Sequence, residues 1–234
     1  MSENKKAGKK VLLVYAHQNP SPLDTALKTA TEDELSKQGC TVTVSSLYNM
    51  DFGPRASGDG ITGECCNPEL FSNGVGAYDD CREKSLAQEI TDEQKKVKEA
   101  DLVIFQFPLH LFSMPAVLRG WMDKVLTRGF AYKTTESSRV TLLKGKLAIS
   151  VTRGDHVWND IKNTDNEDPL AYLWPLPHGV LHLCGFKVLA PQISSPPKLT
   201  SEEQQKGMVE SWVKRLKTIW IEEPIKPRCT LKLL

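Results

Sequence analysis

Residues 11–47 read VLLVYAHQNPSPLDTALKTATEDELSKQGCTVTVSSL, and this stretch indicates the fold class. Its opening run, 11–16, is short and wholly apolar, which is typical of a strand buried on both faces of a parallel sheet. Leucines at helical spacing follow, and the helix is expected to end at Gly39. The alternating, β-branched run 41–47 predicts a second strand. Strand, helix and strand within about 40 residues form a βαβ unit.

The rest of the chain repeats this alternation of strand and helix. Strands are expected at 101–107 (DLVIFQF), 146–151 (KLAISV) and 186–189, and helices at 91–100, 116–126, 173–183 and 201–220. The second helix is expected to begin with a capping box formed by Thr91 and Gln94. Such an order predicts an α/β fold with a doubly wound parallel sheet and helices on both of its faces.

The composition is that of a globular protein and excludes several functional classes. The 234 residues carry a formal net charge of +1, which argues against a general nucleic-acid binder. No apolar run reaches the length needed to span a membrane, and the polar start lacks a secretory signal. Six cysteines without a disulfide-scaffold spacing favour a cytoplasmic setting. We expect one domain over residues 1–234, with a polar lead at 1–9 and a tail at about 222–234.

Ligands of doubly wound sheets bind outside the carboxyl ends of the strands. Three predicted loops fall there, at residues 17–25, 108–114 and 152–160. These loops are therefore the candidate binding site.

Three segments of the chain resemble a known family. The segments VLLVYAHQNP, EADLVIFQFPLHLFSMPAVLRGWMDKVL and LWPLPHGVLHLCGFKVLAPQ are similar to the NAD(P)H:quinone reductases, which have a flavodoxin-like fold. The similarity runs from about Lys10 to Pro224 and is strongest to the short NRH:quinone reductase branch. It implies a homodimer in which FAD, bound at each subunit interface, accepts electrons from a reduced nicotinamide and passes them to a quinone.

The resemblance also implies which residues form the site. The cofactor-binding positions are His17, Asp24, Pro108, Leu109, His110, Leu111, Phe112, Thr152, Gly154 and Asp155. The family's catalytic positions fall on Asp160 and Asn166.

Several of these positions differ from the family pattern. Asp24 brings a negative charge to the loop that holds the flavin phosphates, although it is also a residue type that caps helices. Leu111 replaces a tryptophan that packs on the flavin ring. Asp155 replaces a glycine, and Asp160 replaces a tyrosine that stabilises the reduced flavin. These changes predict that FAD binding is doubtful and that ordinary activity is weak or lost.

Two histidines suggest a metal site. His178 and His182 are four residues apart and so lie on one face of a helix, where they could hold zinc or copper. Histidines at this spacing are also common as structural residues. The NRH:quinone reductase branch implies Cys229 as a further ligand.

Two functional hypotheses therefore stand. In the first, the protein is a homodimeric relative of quinone reductases whose cleft binds another small planar molecule or a metal ion. In the second, it is a working FAD-dependent NRH or NAD(P)H quinone oxidoreductase. Neither hypothesis involves nucleic acid or a membrane. The choice depends on the substitutions in all three loops, which include Asp24, Leu111, Asp155 and Asp160.

Overall fold

The computed structural model describes residues 8–54, 87–110, 113–134, 139–143, 145–152, 175–194 and 201–226. The strands are β1 (Lys10–Tyr15), β2 (Thr41–Ser46), β3 (Leu102–Pro108), β4 (Tyr132–Thr134), β5 (Arg139–Thr141), β6 (Lys146–Thr152), β7 (Lys187–Val188) and β8 (Gln192–Ser194). The helices are α1 (Pro22–Lys37), α2 (Gln88–Glu99), α3 (Ala116–Val125), a π-helical segment (Pro175–Leu181) that continues into α4 (His182–Cys184), and α5 (Glu202–Thr218).

A parallel sheet forms the centre of the molecule. Its strand order is β2-β1-β3-β6, and β7 and β8 lie in succession along the outer edge of β6. The chain leaves β1 toward β2 on one side and returns to β3 on the other, so the winding reverses between β1 and β3. This arrangement confirms the doubly wound, flavodoxin-like fold expected from the sequence.

Helices cover both faces of the sheet and bury separate apolar cores. On one face α1 and α5 pack around Trp212 and the β1 residues Val11 and Leu13. On the other face α2 and α3 pack around Trp121 and the alternate β1 residue Leu12. None of the helices within the described ranges is long and apolar enough to cross a membrane.

The start of α2 differs from the sequence prediction. The helix begins at Gln88, and its N-cap, Ala87, makes no side-chain cap bond. Thr91 lies inside the helix and donates to the Gln88 carbonyl, while Gln94 donates to the carbonyl of Val125 on α3. The predicted capping box is therefore wrong. The preceding turn stays helical because it places Ile90 in the core.

Other differences concern short elements. The predicted helix at 173–183 is π-helical over Pro175–Leu181. It ends, as expected, at Gly185, whose φ of 101° is left-handed. The hairpin β4–β5 and the strand β8 were not anticipated, since three residues are too few to show a periodicity.

Gly120 allows α3 to contact the backbone of the segment after β2. A Cβ atom on Gly120 would lie 2.2 Å from the carbonyl oxygen of Pro54 and 2.6 Å from its Cα. We expect Gly120→Ala to lower the free energy of unfolding by about 2 kcal/mol, because backbone atoms must move to admit the methyl group. Urea unfolding measures this change.

Gly207→Ala is the matched control. Gly207 lies in α5 with no atom within 4 Å of an added Cβ, so the same substitution should stabilise the protein by about 0.5–1 kcal/mol. Equal effects of the two substitutions would contradict the close contact at Gly120.

Candidate functional site

A row of polar side chains crosses the sheet near its carboxyl edge. Tyr15 on β1 lies beside Gln106 on β3, which lies beside Ser150 on β6. Thr152 follows two residues later on the same face of β6. All four side chains are buried, at positions where the neighbouring strand residues are apolar. Polar residues inside such strands require partners, so this row indicates a site.

The first turn of α1 lies over this row and is fixed by a capping box. Ser21 is the N-cap, and its backbone N–H and its hydroxyl both donate to Oδ2 of Asp24 at 2.8 Å. The Asp24 N–H in turn donates to Ser21 Oγ at 3.2 Å. Asp24 is thus the third residue of the helix and not the N-cap suggested by its residue type. The cap falls on Ser21 because Pro22 suits the first helical position, which needs no N–H.

His17 joins this turn to the sheet. Its Nδ1 lies 3.3 Å from Asp24 Oδ2, and its ring stacks on Tyr15 with the centroids 4.8 Å apart and 27° between the planes. Gln106 donates to the backbone carbonyl of Asp24 at 2.9 Å. The strand ends and the helix start therefore form one buried unit, the switch-point cluster, which comprises Tyr15, His17, Asp24, Gln106, Ser150 and Thr152.

The cluster shifts the pKa of two of its members. Burial by itself would raise the pKa of Asp24, but bonding from His17, Thr152 and Ser21 and the charge of His17 outweigh it and lower the value to about 2. Burial, assisted by the charge of Asp24, raises the pKa of Tyr15 to about 12. Asp24 is therefore a carboxylate and Tyr15 a neutral phenol at physiological pH.

The lowered pKa of Asp24 predicts a loss of stability in acid. A carboxyl with a folded-state pKa below its unfolded value stabilises the fold above the unfolded pKa, and this contribution disappears as the pH falls through the folded pKa. We expect the parent to lose about 2 kcal/mol between pH 4 and pH 2 that Asp24→Asn does not lose. Urea midpoints at pH 5 and at pH 2 measure the difference. A parallel acid dependence in both proteins would contradict it.

Among the residues that the structure describes, several buried polar atoms of the cluster find no hydrogen-bond partner. They are Tyr15 Oη, His17 Nε2, Asp24 Oδ1, Gln106 Oε1, Ser150 Oγ and Thr152 Oγ1. Thr152 approaches Asp24 closely enough to lower its pKa but does not reach good hydrogen-bond geometry. The set contains hydroxyl and imidazole donors as well as carboxylate and amide acceptors. Because buried polar atoms are normally satisfied, the cluster has capacity for a polar ligand or for water.

These atoms suit part of an FAD molecule. The phosphates require donors, which Thr152 supplies at the end of β6 and which His17 Nε2, just beyond β1, supplies when both ring nitrogens carry hydrogen. The hydroxyl groups of the ribityl chain can donate to an acceptor such as Asp24 Oδ1. The N-terminus of α1 adds a favourable dipole for an anion.

The loop after β3 is tied to the end of β6. The N–H of Leu109 donates to the carbonyl of Thr152 at 3.0 Å, and His110 and Ser113 exchange two backbone hydrogen bonds of 2.9 Å. Pro108 is the last residue of β3. Two of the three predicted loops therefore meet here, next to the third at His17.

The remaining predicted site residues lie outside the described part of the chain. They are Leu111, Phe112, Gly154, Asp155, Asp160, Asn166 and Cys229. The sequence analysis did not consider Tyr15, Gln106 and Ser150. The sequence signal that could have identified these three residues is a polar side chain inside an otherwise apolar strand.

The expected metal site is not supported. His178 lies in the π-helical segment and His182 begins α4, while burial lowers the pKa of His182 against the raising effect of its contact with the Phe186 backbone. Among the residues that the structure describes, no group of three or more His, Cys, Asp or Glu side chains could hold a metal ion. The expectation of zinc or copper is corrected accordingly.

A separate cleft lies away from the switch-point cluster. It has a volume of about 490 Å³ and runs along α2 beside β1 and β2, between charged side chains that include Lys10, Glu89 and Lys96. None of the three predicted loops lines it. We therefore assign the candidate site to the strand ends, where the unpartnered polar atoms lie.

Comparison with known proteins gives consistent matches over nearly the whole chain. A family model described as a flavodoxin-like fold matches residues 9–216. The ribosyldihydronicotinamide dehydrogenase (quinone) of Homo sapiens is 58% identical over 94% of this chain and 95% of its own length. The NAD(P)H dehydrogenase (quinone) 1 of Rattus norvegicus is 38% identical over 94% of this chain and 80% of its own. A solved structure from Klebsiella pneumoniae is 32% identical, covers 93% of this chain and 87% of its own, and has a TM-score of 0.83.

These relatives overturn two expectations from the sequence. The prediction of a site with weak or lost activity is wrong, because relatives 54–58% identical over 94–96% of the chain carry the name of a working quinone dehydrogenase. The prediction that FAD binding is doubtful is wrong for the same reason. The geometry at Asp24 explains why its charge is compatible with a flavin. The carboxylate faces Ser21 and His17, and these contacts offset the repulsion of the flavin phosphates that the sequence suggested.

Proposed function

Since this chain belongs to the NAD(P)H:quinone reductase family, we propose that it is a working, FAD-dependent quinone oxidoreductase that takes electrons from a reduced nicotinamide. The high identity to ribosyldihydronicotinamide dehydrogenases favours ribosyldihydronicotinamide over NADPH as the donor. The observation that carries the proposal is the switch-point cluster, whose unpartnered donors lie where this fold binds its ligands.

Each part of the site has a role in this proposal. FAD, when bound, supplies the two-electron chemistry. Thr152 Oγ1, and His17 Nε2 when both ring nitrogens carry hydrogen, donate to its phosphates; neither atom has another partner among the described residues. Pro108, Leu109 and His110 shape the surface under the flavin ring, and the bond from Leu109 to the Thr152 carbonyl holds that surface in place. The family's catalytic positions, Asp160 and Asn166, stay predictions from the resemblance.

The wider setting of the protein is part of the same proposal. We propose a single domain and a homodimer with two sites, as the resemblance implies. A cytoplasmic location agrees with Cys40 and Cys184, which are free thiols. Light scattering should give a mass near 52 kDa, twice the 26.1 kDa of one chain.

The test is reconstitution with FAD followed by reduction. We expect dialysed protein to keep about one FAD per subunit, seen as an absorption band at about 450 nm. Ribosyldihydronicotinamide should bleach this band faster than NADPH, and a quinone should restore it. Protein that keeps no flavin, or flavin that no reduced nicotinamide bleaches, would refute the proposal.

A further inference from the structure

We propose that Asp24 is a positioning residue, which holds His17 with Nδ1 toward its own carboxylate and leaves Nε2 to contact the cofactor. This inference rests on the proposed function for the identity of the ligand. It assigns to this chain's aspartate a task that its residue type alone did not indicate.

The orientation of His17 is fixed by contacts on its edge and its face. Asp24 Oδ2 lies 3.3 Å from Nδ1, and the ring of Tyr15 stacks on the imidazole. Within the described ranges, these two groups, one from α1 and one from β1, are the titratable groups recorded in contact with the ring. The His17 side chain is only 2% exposed, so it cannot rotate toward solvent. The imidazole therefore has one preferred orientation.

Asp24 is itself held rigidly. Two donors from Ser21 bind its Oδ2 at 2.8 Å, and Gln106 binds its backbone carbonyl from the central strand β3. Against the effect of burial, bonding from His17 and Thr152, the charge of His17 and the Ser21 backbone lower the pKa of Asp24 to about 2, so the group is ionised. A fixed carboxylate offers His17 an acceptor at a defined place, as carboxylates do for histidines at metal sites.

The position of the proton on His17 follows from this contact. A carboxylate only accepts hydrogen bonds, so the nitrogen that faces it must carry hydrogen. In neutral His17 the hydrogen is then on Nδ1, and Nε2 is an acceptor; in the charged form both nitrogens are donors. Nε2 is buried and unpartnered, so it is the atom left for the ligand.

The charge of Asp24 then has a different effect from the one its residue type suggested. Oδ2 faces three donors from Ser21 and His17, which take up much of its negative charge. In the form of His17 that carries hydrogen on both nitrogens, Nε2 presents a donor to a phosphate. The pairing of Asp24 with Ser21 and His17 therefore reduces the direct repulsion of an anionic ligand that was expected from its charge.

Substitutions can distinguish the proposed positioning of His17 by Asp24 from a purely structural role of Asp24 in the capping box of α1. The start of α5 carries the same capping box with a glutamine, in which Ser201 pairs with Gln204. Asp24→Gln should thus keep the cap of α1, while the longer side chain brings its oxygen to Ser21 from a different direction and changes the acceptor geometry beside His17 Nδ1. Asp24→Asn keeps both the cap and an acceptor beside Nδ1, and it is the matched control. Thr25→Ala, in the same turn but exposed, controls for fraying of α1.

The first measurement is the ¹⁵N spectrum of the histidine side chains in cofactor-free protein, with His17 assigned by its loss in His17→Gln. We expect the parent, Asp24→Asn and Thr25→Ala to show His17 protonated on Nδ1 at neutral pH. We expect Asp24→Gln to show a hydrogen that is no longer confined to Nδ1. If Asp24→Gln does not fold, Asp24→Ala takes its place. Unchanged His17 signals in the folded variant would overturn the proposal.

The second measurement is the dissociation constant of FAD from the quenching of its fluorescence. Loss of an orienting residue typically weakens a site about tenfold, so we expect that loss for Asp24→Gln and less than threefold for Asp24→Asn. If Asp24→Gln binds FAD as tightly as the parent, the proposed contact between His17 Nε2 and the cofactor is wrong. If the parent binds no FAD, the proposed function and this contact both fail, while the ¹⁵N spectrum still decides whether Asp24 positions His17.

Discussion

Replacing Trp212 by alanine is expected to lower the free energy of unfolding by about 3–5 kcal/mol. The side chain is fully buried and packs α5 against α1 in the core that also holds Leu27. Its Nε1 donates to Thr31 at 2.8 Å, and Thr31 donates to the Leu27 carbonyl inside α1. The truncation would leave a large cavity and a buried hydroxyl without its donor, and the two costs add.

Trp220→Ala is the matched control at the end of the same helix. Trp220 lies partly exposed, with the Lys9 ammonium 4.0 Å from its ring centre and its Nε1 bonded to Gln38. Loss of these surface contacts should cost about 1 kcal/mol or less. Urea unfolding monitored by circular dichroism gives both values. Similar losses for the two variants would show that Trp212 does not hold the two helices together.

The second large effect is expected at Glu93, a fully buried carboxyl on α2. It accepts hydrogen bonds from Trp121 on α3 at 2.8 Å and from Ser45 on β2 at 3.0 Å, and it pairs with Lys96. Glu93→Ala should cost about 3 kcal/mol, because it opens a cavity and leaves the donors of Trp121 and Ser45 without an acceptor. Lys96 is partly exposed and can turn toward water, which limits the loss.

Asp92→Ala gives the comparison for Glu93. Asp92 precedes it on α2, is exposed, and accepts a single surface hydrogen bond from Gln88. Its truncation should change stability by about 0.5 kcal/mol or less. The stability of both variants can be read from the midpoint of urea unfolding. A small effect at Glu93 would mean that water replaces its bonds in the interior.

The sequence predicted the framework because each core element carries its own pattern. The apolar runs of β1, β3 and β6 and the leucines of α1 were sufficient to place these elements within a residue or two. The start of α2 was misplaced because burial of Ile90, a tertiary contact, outweighed the local capping signal at Thr91. A local pattern could not reveal that competition.

The site was less predictable because the type of a residue does not show which way its side chain points or which groups it contacts. Asp24 was interpreted by its charge and by its preference for helix caps, whereas its effect depends on the contacts with Ser21 and His17. The neighbours Tyr15 and Gln106 come together only through the register of β1 with β3. Knowledge of that register would have brought the polar residues of separate strands into one group.

The division of the outer strand into β7 and β8 has a consequence for self-association. A long, regular strand at the rim of a sheet is a template on which another molecule can add a strand and start aggregation. Here the edge of the sheet consists of the two residues of β7, a gap that contains Pro191, and the three residues of β8. Proline has no N–H to donate, and neither short strand presents a continuous row of free backbone groups. The β6 side of the sheet is thus protected from strand addition by its own irregularity.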